Sequence, residues 1–412
     1  MVKFVETKET AKEFLEEYCV KDSVIFPLFQ NRTEHPIRNR LLGAFVFIEE
    51  TCWVVMNGHN DCVNAPLFLL EKGSARKWIF DTKWLLHKTQ LVNWKSADVA
   101  YHLTELKSYD YGMIYHSLTA NYRAVNDFSY IPITVITEKV SEFVNLNLKY
   151  LDESVGGFEK YNDYILPIFN QIERNGIPTA YGTEYSLYNN FTTTGRPTNG
   201  FGGVNYSALN KSDGSRDHII SKLGEFYQYD FDGYHVRLIA KLIGESIPDA
   251  SAHEWLGKQY FEKPELTDEE YQNSKAITFR QLYGGVDVEN LQIPFFEKTN
   301  RFIQTLYKDF LIKGYIETRF GKRIPFQKID NHNAQKVFNY YLQALETETN
   351  VMALKQILNV LDGCETKLVL YLYDSFLFDV ADYDLNKLEQ IESILHKIAP
   401  TELSKNTIYG KI

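Results

Sequence analysis

The chain has 412 residues, 44% of them apolar and 15% aromatic, and a formal net charge of −10. This suits a large packed core and two to three domains, and it argues against a protein that is basic over its whole surface. Cys19, Cys52, Cys62 and Cys364 form no CxxC pair and no ligand-like spacing with histidine, which speaks against a zinc site or disulfide framework and for a reducing compartment. The first residues, MVKFVETKETAKEFLEEY, have a charged helical pattern unlike a secretory signal, and LFLLEKG at 67–73 is far too short to span a membrane. The expectation is a cytoplasmic protein with no membrane partner.

In chain order, a first helix precedes three strands, SVIFPLFQ, LLGAFVFIEE and CWVVMNGHN, all rich in β-branched and aromatic residues. An apolar helix near 65–72, a strand KWIFD and helical patterns over 83–107 follow. Meandering strands followed by alternating helix and strand predict a three-layer α/β domain over 1–140. Residues 141–176 read as mostly helical, closing on ILPIFNQIERNGI, and 186–215 as loop. EFYQYDF (225–231) is then a strand that runs directly into the helix YHVRLIAKLIG (234–244). Helices dominate 251–360, broken by the hairpin KGYIETRFGKRIPF, and an apolar hairpin KLVLYLYDSFLFDV leads to a last helix over 384–397.

Two acids stand out. Asp374 interrupts the apolar hairpin and Asp230 ends a strand, 144 residues earlier in the chain. Asp-Ser is ordinary turn chemistry, which taken alone explains Asp374. A pair of carboxylates on neighbouring strands is, however, what hard divalent cations need, and two such ions about 4 Å apart stabilise attacking and leaving oxygens in phosphoryl transfer. Between the acids, Thr267 and Glu270 form a capping box that starts a helix. Lys275, Phe279 and Tyr283 then recur every four residues on one of its faces. Such a stripe is more often core packing, but lysine rarely belongs in a core, and an ammonium beside two rings suits a nucleotide. Residues 301–336 hold eight basic and three acidic side chains, a local basic segment that a solvated helix face would also explain.

Together these segments resemble family A (polymerase I type) DNA polymerases. Asp230-Phe-Asp-Gly-Tyr-His-Val-Arg237 is similar to their motif A, Lys275-x₃-Phe279-x₃-Tyr283-Gly284 to motif B, and Tyr373-Asp374-Ser375 to motif C. Thr194-Gly195-Arg196 resembles the family's T-G-R loop, and GYIETRFGKR (314–323) the return from fingers to palm. The match is good over about 165–380 and only in outline over the first 140 residues. It implies an α+β fold: a right-hand polymerase domain at 141–412 with palm and with fingers at about 241–325, preceded by an RNase H-like exonuclease-type domain.

By the same resemblance, Asp230, Asp374 and the Phe231 carbonyl hold two Mg²⁺ ions, with Mn²⁺ as the alternative. Lys275 holds the triphosphate and assists pyrophosphate departure. His235, Phe279 and Tyr283 line the nucleotide pocket, and Gly284 lies beside the template base. Arg196, with Asn205 and Tyr373, contacts the primer–template. The implied partners are primed DNA, deoxynucleoside triphosphates and a replication or processivity protein.

Five departures qualify that reading. Ser375 replaces the usual Glu after the motif C Asp, as in single-subunit phage RNA polymerases. His235 stands where the family has the Glu that excludes a 2′-hydroxyl. Tyr271 replaces an Arg, with His253, Lys258 or Lys263 as compensating candidates. Only twenty residues separate Gly176 from Arg196, where relatives insert a helical thumb. The first strand, Val24-Ile25-Phe26-Pro27-Leu28-Phe29, has no acid, so Asp81 and Asp98 alone cannot hold an exonuclease metal pair. The expectation is a compact DNA polymerase without proofreading and with low processivity, suited in size to a virus or mobile element. A ribonucleotide-using polymerase and a non-catalytic nucleic-acid-binding relative are the alternatives.

Overall fold

The computed structural model describes residues 1–31, 33–89, 95–106, 126–199 and 204–412. The chain divides into two compact units, Met1–Arg174 and Asn175–Ile412.

The first unit is a six-stranded sheet in the order β1-β4-β3-β2-β5-β6, formed by β1 (Val2–Phe4), β2 (Ser23–Phe29), β3 (Leu41–Ile48), β4 (Thr51–Met56), β5 (Arg76–Ile79) and β6 (Lys95–Asp98). The meander β2-β3-β4 is antiparallel, whereas β1, β5 and β6 join in parallel. Both β2 and β3 are buried along their whole length, as continuous apolar strands are when both faces of a sheet are covered. On one face Phe14 and Tyr18 of α1 (Lys8–Tyr18) pack with Ile25, Val46, Trp53 and Leu85 of α2 (Thr82–Leu86). On the other, α3 (Val99–Leu106) and α4 (Ile133–Leu148) cover Phe26, Phe45 and Phe80. The three-layer arrangement expected from the sequence is therefore present.

Its limit is not at residue 140. Ile133, Ile136, Val140 and Val144 of α4 belong to the core of the first unit, and α5 (Leu166–Asn175) carries that unit to Arg174. Two short strands, β1 and β6, were invisible to periodicity because three or four residues complete no pattern. Part of the helical pattern expected over 83–107 lies outside the described residues.

The second unit opens with two ribbons, β7 (Ile177–Thr179) with β8 (Gly182–Glu184) and β9 (Tyr188–Asn189) with β10 (Thr198–Asn199). No helix lies between Gly176 and Arg196. Its main sheet is antiparallel in the order β14-β15-β11-β16, from β11 (Gly224–Phe231), β14 (Lys367–Tyr371), β15 (Ser375–Ala381) and β16 (Thr401–Asn406). A long helix, α10 (Ala334–Val360), buries Val351, Leu354 and Ile357. Four further helices precede it, α6 (Tyr234–Ile243), α7 (Ala252–Tyr260), α8 (Asp268–Gly284) and α9 (Pro294–Lys313), with a ribbon β12 (Tyr315–Glu317) and β13 (Arg323–Pro325); α11 (Leu385–His396) follows it. Among the described residues no helix is long and apolar enough to cross a membrane.

Candidate active site

The centre of the second unit is the junction of β11 with the β14–β15 turn. In the antiparallel register Asp230 faces Ser375, and the Phe231 amide donates to the Asp374 carbonyl at 2.9 Å, so Asp230 at the end of β11 neighbours Asp374 in the turn before β15. The turn is held tightly. Leu372 donates its amide to the Ser375 carbonyl at 2.9 Å, and Asn350 Nδ2 donates to the Tyr373 carbonyl at 2.6 Å. Tyr373 has φ of 67°, a left-handed conformation that costs a non-glycine residue about 1–2 kcal/mol and persists only where surroundings impose it.

β11 ends through Asp232-Gly233. Gly233 is left-handed (φ 52°), and a Cβ there would lie 2.5 Å from that of Ala252, so the strand-to-helix turn admits only glycine. Arg237 binds Asp232 at 2.8 Å and the carbonyls of Asp232, Pro248 and Ala250, which makes it a brace of this turn.

A cleft of about 350 Å³ opens above this floor, and it is lined by Phe231, His235, His253, Tyr271, Lys275, Phe279, Tyr283, Arg196, Glu346, Asp374 and Glu402. The stripe on α8 faces this cleft and not a core. Phe279 is 49% and Tyr283 38% exposed, their rings stacked 6.0 Å apart at 10°, whereas Ser274, Thr278, Gln281 and Leu282 take the buried side. The expected capping box of Thr267 and Glu270 is present at the helix start. Lys275 Nζ lies 4.5 Å from the centre of the Tyr271 ring, so Tyr271 supports the lysine by a cation–π contact.

Of the three compensating cations considered, two are engaged elsewhere: Lys258 pairs with Glu254 at 2.8 Å and Lys263 with Glu270. His253 lines the cleft, is 7% exposed, and leaves Nδ1 without a hydrogen-bond partner. Burial holds its pKa below the usual histidine range, against the pull of Asp232, and Lys275 adds to the lowering.

Asp374 opens to solvent on the cleft side and is otherwise enclosed. Burial first, then the Glu346 and Asp230 carboxylates, hold its carboxyl above the ordinary carboxylate range. Asp230 accepts from Gln228 Nε2 at 2.7 Å. Among the described residues, no lysine or arginine nitrogen lies within ion-pair distance of either acid. Like charges crowded without a counter-ion, with a backbone carbonyl at hand, form an oxygen donor set that fits a hard divalent ion. No cluster of three or more histidine, cysteine or carboxylate ligands occurs among the described residues, so substrate and water oxygens would complete the shell.

Other expected residues divide. Arg196 lines the cleft: its Nε and Nη2 lie 3.4 Å from the two Glu346 oxygens, and its guanidinium stacks 3.8 Å over the Tyr373 ring. Gly284 ends α8, beside the Tyr283 carbonyl that Asn339 Nδ2 holds at 3.2 Å. Asn205 does not line the cleft; its Oδ1 accepts from Ser207 in a surface turn. Sequence reasoning missed Glu346 and Glu402. Glu402 is the register partner of Asp230 on β16, a strand whose TELSKN holds one apolar residue and so offers no alternation to read. Glu346 is a buried acid on α10, four residues after the buried Leu342 and four before the buried Asn350; an acid on an apolar helical stripe was the available signal.

No protein-family profile and no curated protein matches the sequence. Among solved structures, the chain is similar to the POL domain of Pol1 from M. smegmatis in complex with DNA primer-template and dNTP. The TM-score is 0.72 at 12% sequence identity, over 100% of this chain and 99% of that one. The protein thus has a mixed α/β fold of the kind found in that polymerase domain.

Proposed function

We propose that the protein is a template-directed DNA polymerase of the family A type, which extends a primer 3′-hydroxyl with deoxynucleoside triphosphates. The observation that carries this reading is the convergence on one cleft of Asp374, Phe231, Lys275, Phe279, Tyr283 and His235 from three separate segments, in a fold shared with a polymerase domain. Two Mg²⁺ ions at Asp230, Asp374 and the Phe231 carbonyl would activate the 3′-oxygen and neutralise charge on the phosphates.

The chain's own residues do the positioning. Phe279 and Tyr283 offer ring faces to base and sugar, while Lys275 and the unpaired His253 nitrogen face the phosphate side. As the 3′-oxygen bonds to the α-phosphorus and the bond to pyrophosphate breaks, the Lys275 ammonium donates to the departing oxygens; catalysis of this class is mainly orientation and charge stabilisation. Arg196, stacked on Tyr373, would contact the primer end.

Proofreading is not part of the reading. The first unit has an acid-free central strand. Its Asp98 is buried and pushed up to about 6, and its Lys83 is paired with the buried Glu173. The absence of a helix between Gly176 and Arg196 supports low processivity or a borrowed clamp.

The test is extension of a labelled primer–template with Mg²⁺ and either deoxy- or ribonucleotides, beside Asp374→Asn. Extension by the wild type with deoxynucleotides, reduced by about 10³-fold or more in the variant, is expected. Preferential use of ribonucleotides, which Ser375 and His235 would favour, moves the assignment to an RNA- or primer-synthesising enzyme. Binding to primed DNA with no extension leaves a non-catalytic binding protein.

A further inference from the structure

Glu346 belongs to none of the motifs, yet it is 1% exposed at the wall of the cleft. A buried carboxylate persists only when hydrogen-bonded and charge-compensated. Its partners are His235, with Nε2 at 2.9 Å from Oε2, and Arg196 at 3.4 Å. We propose that Glu346 sets sugar selectivity in this site, by locking His235 in one tautomer and one orientation against Tyr283. This rests on the nucleotide-binding reading of the cleft given above.

An ionised carboxylate only accepts, so His235 must carry its proton on Nε2. In the neutral ring Nδ1 is then an acceptor, and its neighbour is the Tyr283 hydroxyl. That phenol stays protonated at neutral pH, because burial and the nearby Glu346 charge push it up to about 12. Tyr283 therefore donates to Nδ1, and Glu346, His235 and Tyr283 form one directed chain with every proton assigned.

A wall so arranged has no donor left for an incoming sugar. A 2′-hydroxyl pressed against it surrenders its water and finds no hydrogen to accept, a loss that a deoxy sugar does not suffer. Without Glu346 the ring is free to place its proton on Nδ1. The Tyr283 hydroxyl hydrogen is then released toward the sugar, and the imidazole is no longer held in place. The wall changes from one that refuses a hydroxyl to one that can bind it. Glu346 is thus a positioning residue, acting through His235.

The consequence is read by equilibrium titration of the full chain with ATP or dATP plus Mg²⁺, together with ¹⁵N NMR of the His235 ring, in wild type, Glu346→Leu and the shape-conserving Glu346→Gln. A wall that excludes an added hydroxyl discriminates by roughly 10²-fold at most, so the dATP preference should fall about 10-fold in Glu346→Leu and by less in Glu346→Gln. The His235 ring should leave the Nε2–H tautomer in parallel. If Glu346→Leu does not fold, Glu346→Gln carries the test, because a carboxamide can donate to Nε2 and so still releases the tautomer.

Affinities for both nucleotides falling together, with the preference and tautomer unchanged, would overturn the proposal and leave Glu346 a packing residue. Equal binding of ATP and dATP by the wild type would overturn it as well. Binding needs no turnover, so a dATP preference that depends on Glu346 in a protein that never extends a primer would sink the polymerase reading and leave this one standing.

Discussion

Asn350 is the residue whose replacement should most directly disturb the β14–β15 turn without touching the cleft. It is fully buried on α10, its Oδ1 accepts from the Tyr234 hydroxyl at 2.5 Å, and its Nδ2 donates to Tyr371 Oη at 2.9 Å and to the Tyr373 carbonyl at 2.6 Å. Leucine has nearly the same shape and none of these groups. In Asn350→Leu the buried Tyr234 hydroxyl loses its acceptor and the Tyr373 carbonyl its donor, at about 1–3 kcal/mol each. The added apolar burial returns about 1 kcal/mol, which leaves a net loss of about 1–5 kcal/mol. The left-handed Tyr373 then lacks its main restraint, and a displacement of Asp374 by about 1 Å would lower activity about 100-fold. Urea unfolding followed by hydrogen exchange of peptides spanning 366–381 reads the first effect, and primer extension the second. Asn350→Asp separates them, since it keeps the acceptor for Tyr234 and loses the donor to Tyr373. A stability loss below about 1 kcal/mol with normal extension would refute the reasoning, and assign the turn to the Leu372–Ser375 bond and the Arg196 stack.

Two further outcomes concern buried acids. Glu348 accepts from Thr318 and from the Phe320 amide at 2.9 Å, and burial pushes it up to about 7. Its folded value lies above the unfolded one, so it contributes stability that is complete below about pH 4.3 and lost as pH rises through about 7, at up to about 1.4 kcal/mol per pH unit. Unfolding free energies of the wild type should therefore fall more steeply than those of Glu348→Gln between about pH 5 and 7, and parallel curves would contradict the assignment. In the first unit, Lys83→Met removes an ammonium 2.6 Å from the fully buried Glu173, which should cost about 3–5 kcal/mol. His87, 2.8 Å from the same carboxylate and now held below its usual pKa by burial, should titrate at higher pH in that variant. An unchanged NMR titration with no loss of stability would count against the pairing.

The local part of this architecture was legible in the sequence, and the long-range part was not. Apolar runs predicted β2, β3, β4, β11 and the β14–β15 hairpin, because a buried strand writes its environment into consecutive residues. The capping box marked the start of α8, and a lysine among aromatics singled out the face that proved to be open. Arg237 was read as part of a motif, but its work is to hold the carbonyls of its own turn. Glu346 and His235 are 111 residues apart and meet only through the packing of α10 beside α6, and no local pattern records such a contact. The boundary near residue 140 failed for the same reason: α4 reads as a free amphipathic helix until the sheet it covers is known.

The two units answer one physical problem in opposite ways, and the contrast bears on function. Burying carboxylates is costly unless a cation compensates them. In the first unit the compensation is internal and permanent: Glu173 is held by Lys83 and His87, and no further cation is called for. In the second, Glu346 is balanced by Arg196 and hydrogen-bonded by His235, while Asp374 is left above its ordinary pKa by burial and by its acidic neighbours, with a cleft open in front of it. A fold that needed these acids only for structure would gain by neutralising them, as the first unit does with Glu173. The uncompensated charge costs stability in the free protein, and the proposed divalent ion would relieve it. Glu348 and Asp98 are also held above the ordinary carboxylate range, but both lie in closed interior positions where hydrogen bonds satisfy them; a raised acid in front of an open cleft is what supports the proposed role in binding and chemistry.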